Sequence, residues 1–82
     1  MTGKNSEGRK KEVMEKLAAR IRAVRKQRGF SNYEKFANQH NLSRSQVGKY
    51  EKGQNMTIYS LVTLLDALDM SLGEFFSEGF EK

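Results

Sequence analysis

The chain has 82 residues, a length that allows one small domain and no second one. It contains no cysteine, which excludes disulfides, thiolate metal sites and cysteine catalysis, and fits a reducing compartment. No stretch is apolar for long enough to cross a bilayer, and the N-terminus lacks the apolar region of a signal peptide. We therefore expect a cytoplasmic protein.

The net charge of +5 is unevenly distributed along the sequence. Residues 1–30 carry +7, residues 31–53 carry +2, and residues 54–82 carry −4. A basic front and an acidic rear suit a polyanionic partner on one side of the molecule. The alternative is a solvated, lysine-rich helix without a partner.

Apolar periodicity predicts five helices and no strand, hence an all-α domain. In chain order, the predicted helices cover residues 9–28, 32–40, 44–52, 58–68 and 72–78. Four of them begin after a Ser or Thr that is placed to cap the helix. These caps are the capping boxes Ser31–Glu34, Ser43–Gln46 and Ser71–Glu74, and Thr57 alone. We expect residues 1–8 to be a disordered arm, residues 9–78 to be the domain, and residues 79–82 to be a short acidic tail.

Residues 33–52 meet the requirements of two helices joined by a tight turn. Ala37 is small where the helices would cross, and Asn41 tolerates a positive φ in the turn. The apolar residues that would fix the second helix against the first are Leu42, Val47 and Tyr50. The sequence therefore predicts a helix-turn-helix.

Over about residues 17–76, the sequence resembles the phage repressor and Cro type of helix-turn-helix family, also called XRE-like. The resemblance is carried by IRAVRKQRGFS, FANQHNLSRSQVGKYEKG and SLVTLLDALDMSLGEFF. It implies a compact five-helix repressor-like domain, with the helix-turn-helix at helices two and three, that binds double-stranded DNA. The sequence departs from the family at Asn41, where glycine is usual, and at His40, where an apolar residue is usual.

Side chains at the start of the third helix would project into the major groove. Arg44 has a forked guanidinium that matches the O6 and N7 acceptors of guanine. Ser45 and Gln46 can hydrogen-bond to base edges, and Lys49 lies one turn further along. Gly48 is expected to let this helix lie close to the DNA. The resemblance implies base contacts at Arg44, Ser45 and Lys49.

Phosphate contacts are predicted at two places that would position the protein without reading the base sequence. Asn32 and Tyr33 stand at the start of the second helix, where free N–H groups attract an anion. Lys52, Gln54 and Asn55 surround the turn after the third helix. Six basic residues of the first helix could also contact phosphates, or could only raise the local potential: Arg9, Lys10, Lys11, Lys16, Arg20 and Arg22.

The resemblance also implies two structural roles. Arg25 and Glu51 would form an ion pair that ties the first helix to the end of the third. Some of the apolar residues near the C-terminus would form a twofold dimer contact, the alternative being that all pack in the monomer core. These residues are Leu72, Phe75, Phe76 and Phe80.

The sequence contains no catalytic constellation, metal-ligand cluster or phosphate-binding glycine loop. We therefore expect no enzyme activity, no cofactor, no metal ion, no membrane and no small-molecule ligand. The predicted function is that of a homodimeric, sequence-specific transcriptional repressor at the nucleoid. A restriction–modification controller or a plasmid or phage maintenance regulator is the variant within this class. The alternative is an antitoxin or another protein-interaction module that holds a protein partner.

Overall fold

The computed structural model describes residues 6–80, and these residues contain five α-helices and no strand. The helices are α1 (Ser6–Gln27), α2 (Tyr33–Gln39), α3 (Arg44–Glu51), α4 (Ile58–Leu68) and α5 (Leu72–Phe76). The predicted all-α, five-helix fold class is therefore confirmed.

The structure differs from the prediction mainly at the ends of the helices. α1 begins at Ser6, so residues 6–8 of the predicted arm are helical. Glu7 lies in the first turn, where the helix dipole favours an acidic side chain, and pairs with Lys10 at 3.7 Å. Residues 1–5 of the arm and residues 81–82 of the tail lie outside the described residues. α5 ends at Phe76, two residues before the predicted end.

Three of the four predicted Ser or Thr caps are present, and the complete capping box forms at Ser71–Glu74, whereas at Ser43 the structure gives only the bond to the Ser43 hydroxyl. The confirmed N-caps are Ser43, Thr57 and Ser71, which accept the N–H groups of residues 46, 60 and 74 at 3.3, 3.0 and 3.1 Å. The prediction that Ser31 caps α2 is wrong, because Asn32 is the N-cap. Its Oδ1 accepts the N–H groups of Glu34 at 2.7 Å and Lys35 at 3.2 Å, so one side chain satisfies two free donors.

One apolar core joins all five helices. Its residues are Leu17, Ile21 and Val24 of α1, Phe36 and Ala37 of α2, Val47 of α3, Leu61, Leu64, Leu65 and Leu68 of α4, and Phe75 of α5. α3 packs against both α2 and α1, and α4 packs against α5. The core thus fixes α3 on one side and leaves its other side at the surface.

Arg20 of α1 and Arg28, which follows the end of α1, hold the C-terminal ends of the last two helices. Arg20 donates to the carbonyl of Phe75 at 2.7 Å and to that of Glu74 at 2.9 Å, both in α5. Arg28 donates to the carbonyl of Leu68, the last residue of α4, at 2.8 Å. The last carbonyls of a helix lack backbone donors and form the negative end of its dipole, so a guanidinium stabilises them.

Within residues 6–80, no helix combines the length and the apolar character that crossing a membrane requires.

Candidate nucleic-acid interface

A left-handed turn joins α2 to α3. Asn41 has φ of +57°, as predicted for the residue that turns the chain. The N–H of Leu42 then donates to the carbonyl of Ala37 at 2.8 Å, which closes the end of α2. Ala37 is completely buried where α2 meets α3. A small residue at this crossing and a left-handed residue in the turn fix the angle between the two helices.

The side chain of His40, next to this turn, packs against two aromatic rings. Its ring lies 5.0 Å from the ring of Phe36 and 5.6 Å from that of Phe30, both at steep angles. The Nε2 atom is buried, and no described residue forms a hydrogen bond with it. The imidazole therefore fills the apolar position that the family usually gives to an apolar side chain.

Gly48 makes room for a tyrosine rather than for DNA. The residue is buried in the middle of α3, and a Cβ atom there would lie 3.0 Å from the Cε1 and hydroxyl atoms of Tyr33. The expectation that Gly48 lets α3 approach DNA closely is thus wrong, because the ring of Tyr33 occupies this space. The same contact places the Tyr33 hydroxyl against α3.

The four predicted base-contacting residues of α3 are all exposed: Arg44, Ser45, Gln46 and Lys49. Within the described part of the chain, neither the guanidinium of Arg44 nor the ammonium group of Lys49 has a hydrogen-bond or ion-pair partner. Ser45 Oγ lies 3.3 Å from Ser43 Oγ. Gln46 borders a shallow groove of about 150 Å³ between α3 and α4, with Tyr59 on the other side. Gln46 therefore lies beside this groove at the edge of the exposed side of α3, whereas the other three residues do not line the groove.

The predicted phosphate-contacting residues lie at both ends of the helix pair. The Oδ1 atom of Asn32 is engaged in capping α2, which leaves its amide NH₂ group for an external acceptor. Lys52, Gln54 and Asn55 are exposed after the end of α3. The N–H of Gln54 donates to the carbonyl of Lys49 at 3.1 Å, so this turn is anchored to α3.

Arg25 and Glu51, the pair that the resemblance implies, join α1 to the last residue of α3. Arg25 Nε donates to Glu51 Oε2 at 2.7 Å, and Arg25 Nη2 donates to Glu51 Oε1 at 3.0 Å. The two side chains are only 5% and 6% exposed. Arg25 Nη1 also donates to the carbonyl of Phe30 at 2.6 Å. A buried ion pair of this geometry holds α3 only while both partners are present.

The basic residues of α1 do not form one surface. Arg20 is 8% exposed and bonded to α5, so a phosphate contact, one of the two alternatives for this residue, is wrong. Arg9, Lys10 and Lys11 are exposed on the first turns of α1, where Lys10 pairs with Glu7. Burial of an arginine depends on where the other helices end, and the sequence of α1 alone carries no signal for it.

The predicted dimer residues also separate in the structure. Phe75 is completely buried in the monomer core, so its assignment to a dimer interface is wrong. Phe80 packs on the rings of Phe75 and Phe76 at 5.8 and 4.8 Å. Leu72 and Phe76 are each 42% exposed and remain at the surface.

Sequence reasoning missed a second exposed apolar surface, at the start of α4. Ile58 is 67% exposed and Tyr59 83% exposed, and Val62 lies one turn after Ile58 with 37% exposed. The signal was available, because α4 carries more apolar residues than one buried stripe can accommodate.

No three His, Cys, Asp or Glu side chains within residues 6–80 come together in a group that could hold a metal ion.

Two short helices joined by a left-handed turn, with unpaired cations on the exposed side of the second, define a DNA-binding helix-turn-helix domain. The helix-turn-helix family model matches residues 21–75. The chain belongs to this family, in its phage repressor and Cro (XRE-like) branch. No curated protein and no solved structure gives a significant match. Membership makes the chain a DNA-binding domain of the transcription-regulator type.

Proposed function

We propose that this protein is a sequence-specific transcriptional repressor that binds double-stranded DNA as a homodimer and places α3 in the major groove of each half-site. The observation that carries the proposal is the division of α3 into two sides. Val47, Gly48 and Glu51 are buried against the other helices. Arg44 and Lys49 are exposed, and their charged groups have no partner within the described residues.

This division supports direct contact with bases. An arginine at the first position of a capped helix can extend beyond the helix end, and its planar fork matches guanine. Lys49 lies on the face that also carries Ser45, one helical turn away. In this proposal Arg44, Ser45 and Lys49 contact bases, and Gln46 contacts the edge of the site. Tyr33, Asn32 and the turn after α3 contact phosphates.

Exposed apolar side chains support the dimer. Leu72 and Phe76 on α5 are the proposed twofold contact, since both expose apolar area that a second copy would cover. Two copies would then read half-sites whose centres are about 10 base pairs apart, one turn of B-DNA. Repression requires only that the dimer occupies its operator, and such a regulator acts at the nucleoid in the cytoplasm.

A second candidate function is that of an antitoxin or another protein-interaction module. The observation in its favour is the exposed apolar surface that Ile58, Tyr59 and Val62 form on α4. The proposed dimer contact on α5 does not use this surface, which leaves it for a protein partner. DNA binding would be secondary in that case, and changes in α3 would leave binding of the protein partner intact.

Selection from a random duplex pool at near-physiological salt, followed by sequencing, tests the proposal. We expect convergence on a two-part palindrome with guanine at a fixed position in each half. Arg44→Ala should lose the preference at that position. Lys26→Ala, which removes an exposed cation from the last turn of α1, should retain it. DNA retained without any shared sequence would mean that only phosphates are bound, and would contradict the proposal.

Sedimentation of the free protein tests the dimer contact. Phe76→Glu should shift the protein toward the monomer. Val13→Glu is the matched control, because Val13 has nearly the same exposure on α1, 41% against 42%. Equal sedimentation of the two variants would contradict the assignment to α5.

A further inference from the structure

Two arginines of α1 bind two different groups of Glu51, the last residue of α3. The buried guanidinium of Arg25 binds the carboxylate of Glu51. Arg22 Nη1 donates to the main-chain carbonyl of the same residue. Arg22 and Arg25 are three residues apart on α1, so their side chains point to the same side of the helix. Glu51 is therefore fixed through both its side chain and its backbone.

The carbonyl that Arg22 binds is the one at which α3 ends. The N–H groups of Lys52 and Gln54 donate to the carbonyl of Lys49, each at 3.1 Å, and that of Gly53 donates to the carbonyl of Tyr50 at 3.2 Å. The carbonyl of Glu51 has the guanidinium of Arg22 as its donor. A cation at this place also interacts favourably with the negative end of the α3 dipole.

This bond controls the start of the turn after α3. The carbonyl of Glu51 and the N–H of Lys52 belong to one planar peptide unit, so fixing the oxygen fixes the plane from which the turn begins. Lys52, Gln54 and Asn55 follow directly. The orientation of that peptide therefore decides where these three exposed side chains lie relative to α3.

We propose that Arg22 is a positioning residue for DNA binding: it orients the turn after α3 so that phosphate contacts from the turn and base contacts from α3 are made together. The inference rests on the proposed function. Arg22 is not, on this view, a phosphate ligand, although it is cationic and exposed. A phosphate ligand contributes equally to all duplexes, whereas a positioning residue contributes only where both kinds of contact form.

The salt dependence of binding distinguishes these two roles. Arg22→Gln, Lys52→Gln and the control Lys26→Gln would be titrated with the duplex enriched by the selection and with a random duplex of equal length. Salt would be varied from about 50 to 200 mM. We expect Arg22→Gln to lower the ratio of the two affinities about tenfold, the equivalent of one charge-assisted hydrogen bond. The slope of log K against log salt for Arg22→Gln should stay near the wild-type value. For Lys52→Gln, the magnitude of this negative slope should decrease by about 0.9.

Amide hydrogen exchange of the free protein tests the same role without DNA. Exchange at Gly53 and Gln54 should accelerate about tenfold in Arg22→Gln, again the equivalent of one charge-assisted hydrogen bond. Arg22→Lys keeps a cationic donor and should restore part of the protection. A slope reduced by about 0.9 in Arg22→Gln, with equal losses on both duplexes, would overturn the proposal in favour of a phosphate contact. Unchanged exchange in the turn would overturn it as well. If the selection enriches no duplex, the proposed function fails, and the exchange measurement alone decides whether Arg22 holds the turn.

Discussion

The cations of α1 and those of α3 have opposite surroundings, although both sets belong to a basic region of the sequence. Four guanidinium groups in the second half of α1 and just after its end bind carbonyls or a carboxylate of the protein: those of Arg20, Arg22, Arg25 and Arg28. Within the described residues, Arg44 and Lys49 of α3 have no such partners. Four arginines of the most basic segment thus contribute to the fold, whereas the two cations of α3 are free charges.

The difference shows that charge density alone does not locate a nucleic-acid interface. A guanidinium has five donors, so an arginine at the centre of a helical domain can satisfy helix ends that no backbone N–H reaches. The informative quantity is which cations lack an internal partner. Lys26 of α1 is also an exposed cation, so this measure marks the proposed interface on the exposed side of α3 only together with the helix-turn-helix geometry.

The largest effect is expected when the internal set loses its acidic partner. Glu51→Ala leaves Arg25 buried with an unpaired charge, which should reduce the free energy of unfolding by about 3–5 kcal/mol. Urea denaturation followed by circular dichroism measures this loss.

Removing both charges is the control for that experiment. Replacement of Arg25 by Met together with Glu51 by Leu should recover much of the stability, because no buried charge remains unpaired. A loss below about 1 kcal/mol in Glu51→Ala would place the pair among weak surface salt bridges and weaken the contrast between α1 and α3.

The sequence carried enough information for the helices and for part of the site. α4 has the predicted bounds because Thr57 caps its start and its leucines recur at helical spacing. The exposed side of α3 follows from the same periodicity, since Val47 and Glu51 lie one turn apart on the buried side. The roles of Arg20 and Gly48 could not be predicted, because each depends on a residue that only the tertiary fold brings near.

A second substitution compares one cation from each set directly. Arg20→Met keeps an apolar stem but removes the two bonds to the α5 carbonyls and the contact of the guanidinium with the Phe75 ring, 5.8 Å from its centre. We expect a loss of about 1.5–3 kcal/mol in the free energy of unfolding. Lys49→Met should change it by less than about 0.5 kcal/mol. Similar losses in the two variants, measured by urea denaturation, would remove the distinction.

For DNA binding we expect the opposite ranking, in which substitution of a cation of α3 has the larger effect. Arg44→Ala is expected to reduce discrimination between the selected duplex and one with guanine replaced in each half-site by about 1–3 kcal/mol per contact. Its unfolding should be unchanged, because the side chain is exposed and has no partner within the described residues. Titration of both duplexes at one salt concentration measures the discrimination. Full retention of discrimination would mean that another residue of α3 recognises guanine.

The smallest effect concerns an acidic residue and extends the comparison to anions. Glu51 is enclosed by arginines, whereas Glu74 is exposed at the start of α5, where its carboxylate accepts the N–H of Ser71 at 3.0 Å. This backbone hydrogen bond, followed by the one with the Ser71 hydroxyl, lowers the pKa of Glu74 below its ordinary value. Because the pKa is lower in the folded state, the stabilisation is complete above the unfolded-state pKa and is lost as the pH falls through the folded-state pKa.

Glu74→Gln keeps an acceptor at the cap without a titrating group. We therefore expect the melting temperature of the wild type to fall more steeply than that of Glu74→Gln between about pH 5 and pH 3. If the melting temperatures of the two proteins fell equally with pH over that range, the capping box of α5 would contribute nothing to the acid sensitivity of the fold.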